Sequence, residues 1–436
     1  ARDWGPRAQG RRVQPQDPPQ APQAAPQAPQ TPHAPSNAPT HAPSNAPPNA
    51  PSHAPPHAPP QAPAQAPQGA FHAPPPPPLP LVPPAQLPHS LCAAPDEAYD
   101  IVGQVGEGTY GQVYKAVSER TGVLVALKRI RLDAERDGFP VTSMREIKLL
   151  QALRHENVVR LHELMTSRTG SVYMVFEYLE HDLSGLLAHP AVEFSAAHQK
   201  SLAAQLLSGL AYLHQRAVLH RDLKGSNLLL SNAGVLKLAD FGLARTYYKR
   251  RKGDYTNRVV TLWYRPPELL LGATHYGPAV DAWGAGCLFL ELFVRQPVFQ
   301  GRDELHQLQT LAEALGPLDA RAWPGAAALP WFDMVRAPDT PDTRAGGAGG
   351  GGAGGGDALA ARFGALLSPA ALSLARALLC YDPCARVGAA DALAHAYFVS
   401  EAPAPERPAG VLDALGGEWH EMASRRLRRG SRRGGI

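Results

Sequence analysis

Proline divides this chain into a part that can fold by itself and a part that cannot. Thirty of the 46 prolines fall within residues 1–95 of the 436, and only six charged residues accompany them. Proline removes a backbone donor and fixes φ, and so little apolar surface cannot offset the entropy of ordering the chain. We therefore predict a disordered Pro/Ala-rich tail, largely polyproline II, over residues 1–95. It serves either as a passive spacer or as a ligand for an SH3 or WW groove.

The rest of the chain, about 340 residues, is long enough for one large domain or two coupled domains. From Tyr99 onward, apolar and polar residues alternate around a glycine cluster, which predicts a hairpin followed by a third strand at 123–127. Helical periodicity then recurs at 143–154, 198–215, 278–294, 304–315 and 369–379. The pattern predicts an α+β architecture in which a small sheet-rich part precedes a larger helical part.

Cysteine spacing and hydropathy restrict the environment of the chain. Cys92, Cys287, Cys380 and Cys384 lack the paired spacing of a disulfide framework, so we expect free or buried thiols in a reducing compartment. A zinc site at Cys380 and Cys384 is the alternative, which the lack of a second Cys or His pair nearby disfavours.

No run approaches the roughly 20 consecutive apolar residues of a bilayer span, so we expect no membrane partner. The glycine run at 346–356 predicts a solvated loop.

The glycine cluster is the first segment with chemical meaning. It fits the pattern G-x-G-x-x-G-x-V, in which backbone amides can approach a triphosphate because the glycines have no Cβ. Dinucleotide sites carry similar glycines, but there the chain continues into a helix, whereas a strand follows here. The next strand delivers Lys128 in Val-Ala-Leu-Lys, close to the V-A-I-K pattern whose lysine pairs with the α and β phosphates. Together the two segments indicate the roof of a nucleotide site.

A second set of polar residues lies downstream. Residues 220–227 match H-R-D-L-x-x-x-N at every fixed position, and an Asp-Phe-Gly triplet begins at Asp240. Phosphoryl transfer needs a carboxylate to orient a hydroxyl, oxygen ligands for Mg²⁺ and a cation at the γ-phosphate. Asp222 supplies the first, Asn227 and Asp240 the second, and Lys224 the third. One loop aspartate is usually a turn or cap residue, but the whole set in this order indicates phosphoryl transfer from ATP.

At these residues the chain resembles the eukaryotic protein kinase family, over about 99–399. The resemblance implies a bilobal fold with a β-rich N-lobe to about 179, a helical C-lobe from about 180, and a C-terminal extension over 400–436. It implies ATP and Mg²⁺ as cofactors, with Asp222, Lys224 and Asn227 as catalytic residues and Asn227 and Asp240 as metal ligands. The nucleotide-binding residues that it implies are Val105, Gly106, Glu107, Gly108, Thr109, Tyr110, Gly111, Gln112, Val113, Ala126, Lys128, Glu177, Leu179, Asp182, Leu229 and Asp240.

Within that set, the resemblance assigns positions around the nucleotide. Main-chain groups of Glu177 and Leu179 would meet the adenine, Asp182 would hold the ribose, and Leu229 would close the pocket floor. Phe176 matches the gatekeeper position at the back of the pocket. Thr109 and Tyr110, at the glycine-loop tip, match hydroxyls whose phosphorylation inhibits some members of the family.

Residues 138–146 resemble the P-x-T-x-x-R-E helix of cyclin-dependent kinases, and Glu146 matches the glutamate that pairs with Lys128. In that group a bound cyclin pushes the helix inward so that the pair can form. Residues 255–268 resemble the activation segment of the same group, with Thr256 as the activating phosphosite. Three arginines could neutralise that phosphate: Arg145, Arg221 and Arg245.

The same segment implies substrate preference. Val259 and Val260 would leave a small apolar pocket and an unmet carbonyl that suit a proline after the target residue. Thr261, bonded to Asp222 and Lys224, implies transfer to Ser or Thr. The basic residues at 249–252 form either a solvated loop or a site for acidic or phosphorylated substrates.

Three segments are similar to the cyclin-K-dependent transcription kinases, which phosphorylate the heptad repeats of RNA polymerase II: residues 103–116, 176–183, and 419–422 with the arginines that follow. There, a His-Glu pair lies beside the nucleotide, so His420 and Glu421 become candidate ATP contacts. The resemblance implies a K-like cyclin, Ser/Thr-Pro sites in the polymerase C-terminal domain, a nuclear location and no sequence-specific nucleic-acid binding. Without it, the arginines at 425–433 would indicate a nuclear-localisation or nucleic-acid patch.

Two alternatives stay open at this point. One is a cell-cycle cyclin-dependent kinase; a mitogen-activated kinase is disfavoured because Thr256 is followed by Asn-Arg and does not begin a T-x-Y pair. The other is a proline-rich scaffold with an inactive kinase fold, which the intact Lys128, Asp222, Asn227 and Asp240 disfavour.

Overall fold

The computed structural model describes residues 98–108, 111–130, 140–167, 170–247, 255–318, 323–334 and 357–421. The predicted tail at 1–95, the glycine run and the arginine tract lie outside the described residues. Thr109, Tyr110 and the basic loop at 249–252 also lie outside them. Within the described ranges, no helix is long and apolar enough to cross a bilayer.

The sheet-rich part is one antiparallel sheet with the strand order β1-β2-β3-β5-β4. The strands are β1 (Tyr99–Gly108), β2 (Gly111–Ser118), β3 (Leu124–Ile130), β4 (Leu161–Thr166) and β5 (Val172–Glu177). The first three confirm the predicted hairpin and third strand. Gly111 opens β2 with φ +154°, and a Cβ there would lie 2.0 Å from the Arg129 carbonyl oxygen. Only glycine lets β2 approach β3 so closely.

One helix, α1 (Val141–Ala152), packs beside this sheet. Its buried residues Ser143, Glu146, Ile147 and Leu150 follow the i, i+3, i+4, i+7 spacing and so form a single face. The two apolar members join the same buried cluster as Met174 of β5. This packing confirms the predicted helix, with a start two residues earlier, and carries the Glu146 carboxylate into the interior.

The C-lobe is helical, as the periodicity predicts. Its described helices are α2 (Leu183–Ala188), α3 (Ala196–Gln215), α4 (Pro267–Leu270), α5 (Ala279–Val294), α6 (Glu304–Leu315), α7 (Ala358–Phe363), α8 (Pro369–Leu378), α9 (Ala389–Leu393), α10 (Ala396–Val399) and α11 (Ala409–Leu415). The helix α5 is buried around most of its circumference, and its Trp283 is 0% exposed. It is therefore the central core helix, against which the neighbouring loops pack.

Short strands flank the loops that carry the H-R-D and Asp-Phe-Gly patterns. Strands β6 (His181–Asp182), β8 (Leu228–Leu230) and β9 (Leu236–Leu238) form one small sheet, in the order β6-β8-β9. Strands β7 (Val218–Leu219) and β10 (Arg245–Thr246) pair antiparallel. The residues of the H-R-D and Asp-Phe-Gly patterns lie in the connections between these strands, facing the sheet of the N-lobe.

Candidate active site

A cleft of about 550 Å³ opens between the N-lobe sheet and the loops of the C-lobe. The predicted residues that line it come from both sides: Val105, Gly106, Glu107, Gly111, Val113, Ala126, Lys128, Glu177, Leu179, Asp182, Lys224, Asn227, Leu229 and Asp240. Gln112, another predicted member, is not among the described residues that line the cleft, and its amide oxygen accepts a hydrogen bond from the Tyr114 hydroxyl at 2.7 Å.

Lys128 joins the two lobes inside the cleft. Its Nζ lies 2.8 Å from Glu146 Oε1 and 3.0 Å from Asp240 Oδ1. The glutamate comes from α1, and the aspartate begins the Asp-Phe-Gly triplet. The structure therefore brings together three residues that are far apart in the sequence, with α1 in the inward position that the Lys–Glu pair requires.

Burial and charge oppose each other in this triad. Burial alone would lower the pKa of Lys128, but the charges of Asp240 and Glu146 outweigh burial and raise the pKa. Burial would raise the pKa of Asp240, and the Lys128 charge overcomes it, so the pKa is lowered. Burial dominates at Glu146 and raises the pKa of its carboxyl despite the lysine. The lysine stays charged and the aspartate stays ionised, as a phosphate and metal site requires.

Asp222 is held by three donors. Lys224 Nζ donates to Oδ2 at 2.8 Å, Asn227 Nδ2 donates to Oδ2 at 3.0 Å, and Thr261 Oγ1 donates to Oδ1 at 2.8 Å. Charge-assisted hydrogen bonds of this kind fix a carboxylate in one orientation. The predicted contact of Thr261 with Asp222 is present, while its contact with Lys224 stays a prediction.

The loop that carries Asp222 is anchored to the core helix α5. Asp281, 1% exposed, accepts the backbone N–H groups of His220 and Arg221, each at 2.9 Å. Its carboxylate also meets His214 Nε2 at 3.0 Å. Burial would raise the pKa of Asp281, but these hydrogen bonds and the histidine lower it. The catalytic loop is thus fixed to a rigid element by a buried ionised group.

Two residues at the site have left-handed backbones. Arg221 has φ 65° and Asp240 has φ 60°. Each such non-glycine conformation costs about 1–3 kcal/mol and persists only where surrounding contacts enforce it. At Asp240 the contact is the bond to Lys128, and at Arg221 it is the bond from the backbone N–H to Asp281.

The adenine end of the cleft is apolar. Phe176, 8% exposed, closes the back, and Ala126 and Leu229 line opposite walls. The Glu177 carboxylate turns away to Lys237 Nζ at 3.1 Å, which leaves main-chain atoms at the cleft. Asp182, the predicted ribose residue, also has partners within the fold: its oxygens accept the N–H groups of Gly185 and Glu421, each at 2.7 Å. Its ribose role stays a prediction, since a carboxylate retains further lone pairs.

The activation segment reaches the same loop through Tyr276. The tyrosine hydroxyl accepts a hydrogen bond from Arg221 Nη1 at 2.9 Å and donates one to the Thr256 carbonyl oxygen at 2.7 Å. The Arg245 guanidinium carbon lies 4.9 Å from the centroid of the tyrosine ring that precedes Thr256. Two of the three predicted phosphate-binding arginines therefore lie near the exposed Thr256, whereas Arg145 is exposed on α1 and its role stays a prediction.

The carbonyl predicted to be unmet is in fact bonded. Val260 has φ 68°, which turns its carbonyl oxygen toward Arg265, where Nε and Nη2 donate at 3.2 and 3.1 Å. Sequence reasoning could not find this contact because it depends on a positive φ at a β-branched residue. The oxygen is already occupied by a guanidinium and offers nothing to the backbone of an incoming peptide.

Asn227 and Asp240 fit a magnesium site. The Asn227 amide nitrogen is engaged with the carbonyl and carboxylate oxygens of Asp222, which leaves its amide oxygen as the ligand. Magnesium is usually held by one or two protein oxygens together with substrate phosphates and waters. The described part of the chain contains no cluster of three or more His, Cys, Asp or Glu that could hold a metal alone.

These features can be compared with known proteins. The family model for the protein kinase domain matches residues 99–398. The chain belongs to the protein kinase family.

The relatives of this kinase are cyclin-dependent kinases. CTD kinase subunit alpha of Schizosaccharomyces pombe is 48% identical over 349 residues, which are 80% of this chain and 56% of that protein. Cyclin-dependent kinase 9 of Bos taurus is 41% identical over 343 residues, which are 76% of this chain and 88% of that protein. The kinase thus belongs to the cyclin-dependent group, although it spans little more than half the length of the fission-yeast relative.

Among solved structures, this kinase is similar to a chain in the crystal structure of the yeast RNA Pol II CTD kinase CTDK-1 complex. The TM-score is 0.62 and the identity is 46%, over 71% of this chain and 95% of that chain. The likeness agrees with the bilobal α+β fold that the sequence predicts.

Sequence reasoning missed several residues of the kinase cleft. Leu150, Val159 and Ala239 line it but have the spacing of ordinary core residues.

Sequence reasoning also missed a long-range contact: Lys115 and Glu418 form an ion pair although 303 positions separate them. No periodicity or motif signals a contact at that separation, so only the folded chain reveals it. His420 and Glu421, which the resemblance did suggest, both line the cleft.

Proposed function

We propose that this chain is a serine/threonine kinase that transfers the γ-phosphoryl group of Mg-ATP to residues that precede proline. The observation that carries the proposal is the convergence of Lys128, Glu146 and Asp240 beside the oriented Asp222 carboxylate. Phosphoryl transfer depends almost entirely on positioning and on electrostatic stabilisation. Both requirements are met by charged groups held on rigid elements.

Each residue has a definite task in this reaction. Lys128 orients the α and β phosphates, and Asp222 orients the attacking hydroxyl and accepts its proton. Lys224, 2.8 Å from Asp222, places its positive charge where the γ-phosphate would be transferred. Asn227 and Asp240 would hold Mg²⁺, which supplies charge neutralisation between the phosphates when it is bound.

Substituting Asp222→Asn should abolish transfer and spare nucleotide binding. The amide cannot accept the hydroxyl proton, so we expect the transfer rate to fall by roughly 10³-fold or more. The affinity for a fluorescent ATP analogue should change less than about threefold. The measurement is single-turnover phosphorylation by the full chain with its bound cyclin, and unchanged transfer would refute the assignment.

The preference for proline follows from the bonded Val260 carbonyl. A residue after the target brings a backbone N–H that finds no acceptor there, at a cost of about 1–3 kcal/mol. Proline has no N–H and avoids the cost. We expect Ser-Pro peptides to exceed Ser-Ala peptides by roughly 10- to 100-fold in kcat/KM. A Ser-(N-methyl-Ala) peptide should recover much of the difference, and no recovery would exclude the missing donor as the cause.

We further propose a K-like cyclin as activator, the C-terminal repeats of RNA polymerase II as substrate, and the nucleus as location. The exposed Val141 and Met144, 65% and 54% accessible, give α1 an apolar outer face that suits a protein partner. The relatives named as CTD kinases and the CTDK-1 complex support the substrate. Identifying the cyclin that co-purifies with the full chain tests this, and a cell-cycle cyclin would contradict it.

A further inference from the structure

The segment that follows α11 runs along the connection between the two lobes. Trp419 donates its N–H to the Glu180 carbonyl at 3.2 Å, and its own carbonyl accepts the Asp182 N–H at 3.1 Å. A Cβ on Gly185 would lie 2.4 Å from the Trp419 carbonyl oxygen. The first helix of the C-lobe thus has a glycine at a position where a side chain would displace this segment.

One carboxylate in that segment contacts both the N-lobe sheet and the connection between the lobes. Glu418 forms an ion pair with Lys115 of β2, and its Oε2 accepts a hydrogen bond from the Tyr178 hydroxyl at 2.7 Å. Lys115 Nζ lies 5.1 Å from the centroid of the Tyr178 ring. Hydrogen bonds and the lysine charge outweigh burial and lower the pKa of Glu418, so it is ionised at neutral pH. All three partners are half-buried, where a charge pair is less screened than at an open surface.

Strand β2 is part of the roof of the nucleotide cleft. Its Val113 lines the cleft, and Lys115 lies opposite Ala126, another lining residue, in the β2–β3 pairing. Tyr178 belongs to the connection between the two lobes, and it also lines the cleft. Lifting the roof to release a nucleotide therefore requires Glu418 to part from Lys115 or the whole segment to leave the connection.

The segment is anchored well before it reaches Glu418. Lys200, 1% exposed, donates to the carbonyl oxygens of Glu401 and Pro403 at 2.6 and 2.9 Å. Glu406 donates its N–H to the Ala197 carbonyl at 3.1 Å, and Leu412 is 1% exposed. With the chain fixed at these points, little entropy is lost when the carboxylate meets its partners.

We propose that Glu418 is a positioning residue that ties the roof strand β2 to the connection between the lobes and so slows nucleotide release. It acts through Lys115 and Tyr178 on both ATP and ADP, whose phosphates and adenine lie under the same roof. This inference rests on the nucleotide binding of the function proposed above. It concerns the lifetime of the bound nucleotide rather than the phosphoryl-transfer step.

The test measures release of a fluorescent ADP analogue from the full chain with its cyclin, by stopped-flow displacement. Glu418→Gln retains an acceptor for Tyr178 but loses the charge, and we expect release to be about 3- to 10-fold faster, the effect of a half-buried ion pair. Raising the ionic strength should accelerate release from the wild type more than from the variant. At saturating ATP, kcat should not fall, while KM for ATP should rise.

Two further variants separate this role from general damage. Gly185→Ala leaves Glu418 intact, but the new methyl group would displace the segment from the connection. Alanine favours a helix more than glycine does, so the helix itself should not be weakened. Nucleotide release should therefore accelerate to a similar degree. The pair Lys115→Glu with Glu418→Lys should return release to within about twofold of the wild type. Asp413→Asn, the same kind of change at an exposed position on α11, is the matched control.

The outcomes distinguish the two proposals. If the wild type binds no nucleotide, the kinase function itself fails. If it binds nucleotide and release is unchanged in both Glu418→Gln and Gly185→Ala, only the role of Glu418 is refuted. Faster release in Asp413→Asn to the same extent would also refute it, because any disturbance of α11 would then suffice.

Discussion

At the scale of single residues, the buried charges fall into two kinds. Lys128 and Asp281 keep their charge because ionised or hydrogen-bonding partners outweigh burial. Glu291 of α5 has weaker compensation: burial raises its pKa to about 7, although the Tyr264 hydroxyl donates to its Oε2 at 2.7 Å. A Cβ at Gly225 of the catalytic loop would lie 3.3 Å from Glu291 Oε1, so the glutamate is close to this loop. The carboxyl therefore sits between the catalytic loop and the activation segment with a proton that it can lose near neutral pH.

Glu291 should make the stability of the fold depend on pH. The pKa rises from 4.5 to about 7 on folding, so between these values the folded state binds more protons and stability falls as pH increases. The full loss is roughly 3 kcal/mol above the folded pKa. Glu291→Gln has no such titration and keeps an acceptor for Tyr264. Its free energy of unfolding relative to the wild type should therefore rise between pH 5 and pH 8.

The measurement is denaturant unfolding of both proteins across that pH range. Glu313→Gln, at an exposed position on α6, provides the control for an acid-to-amide change. A wild-type-to-variant difference that stays constant from pH 5 to pH 8 would contradict the prediction.

At the scale of elements, prediction from sequence succeeded where one element carries its own pattern. The apolar face of α1 and the alternation of β1 and β2 are local, and the structure agrees within a few residues. The polar site residues also follow from fixed short motifs, which place Asp222 and Asn227 on one loop. What failed was the prediction of a backbone conformation that side-chain patterns do not record. The Val260 carbonyl turns to Arg265 because of a positive φ, and no spacing rule reports a backbone torsion.

Local sequence patterns also failed to predict contacts between elements that lie far apart in the chain. The sequence assigns Asp182 a place at the ribose, but it does not show that one of its oxygens accepts the backbone N–H of Glu421. No motif in the sequence singles out Glu418. Its role depends on a chain path that returns from α11 to the N-lobe, and hydrophobic periodicity carries no information about such a path.

At the scale of the whole molecule, the described residues beyond α10, up to 421, are part of the folded kinase. One cluster of buried apolar residues runs from Ile130 of the sheet to Leu412 of α11. Lys200 of α3 supports the turn where this segment leaves the C-lobe, and its Nζ also lies 4.7 Å from the Tyr397 ring centroid. A buried lysine with so many partners is a structural anchor because removing its charge leaves the carbonyl oxygens unmet.

Lys200→Met should therefore loosen the extension and weaken the fold together. Methionine fills a similar volume, but the Glu401 and Pro403 carbonyl oxygens lose their donor, at about 1–3 kcal/mol in the free energy of unfolding. Hydrogen exchange of backbone amides in 403–421 should accelerate more than exchange in α5, because the anchor is local to the segment. Lys148→Met, exposed on α1, provides the control for loss of a surface charge. Equal protection of 403–421 in Lys200→Met and wild type would show that the remaining contacts hold the extension without the lysine.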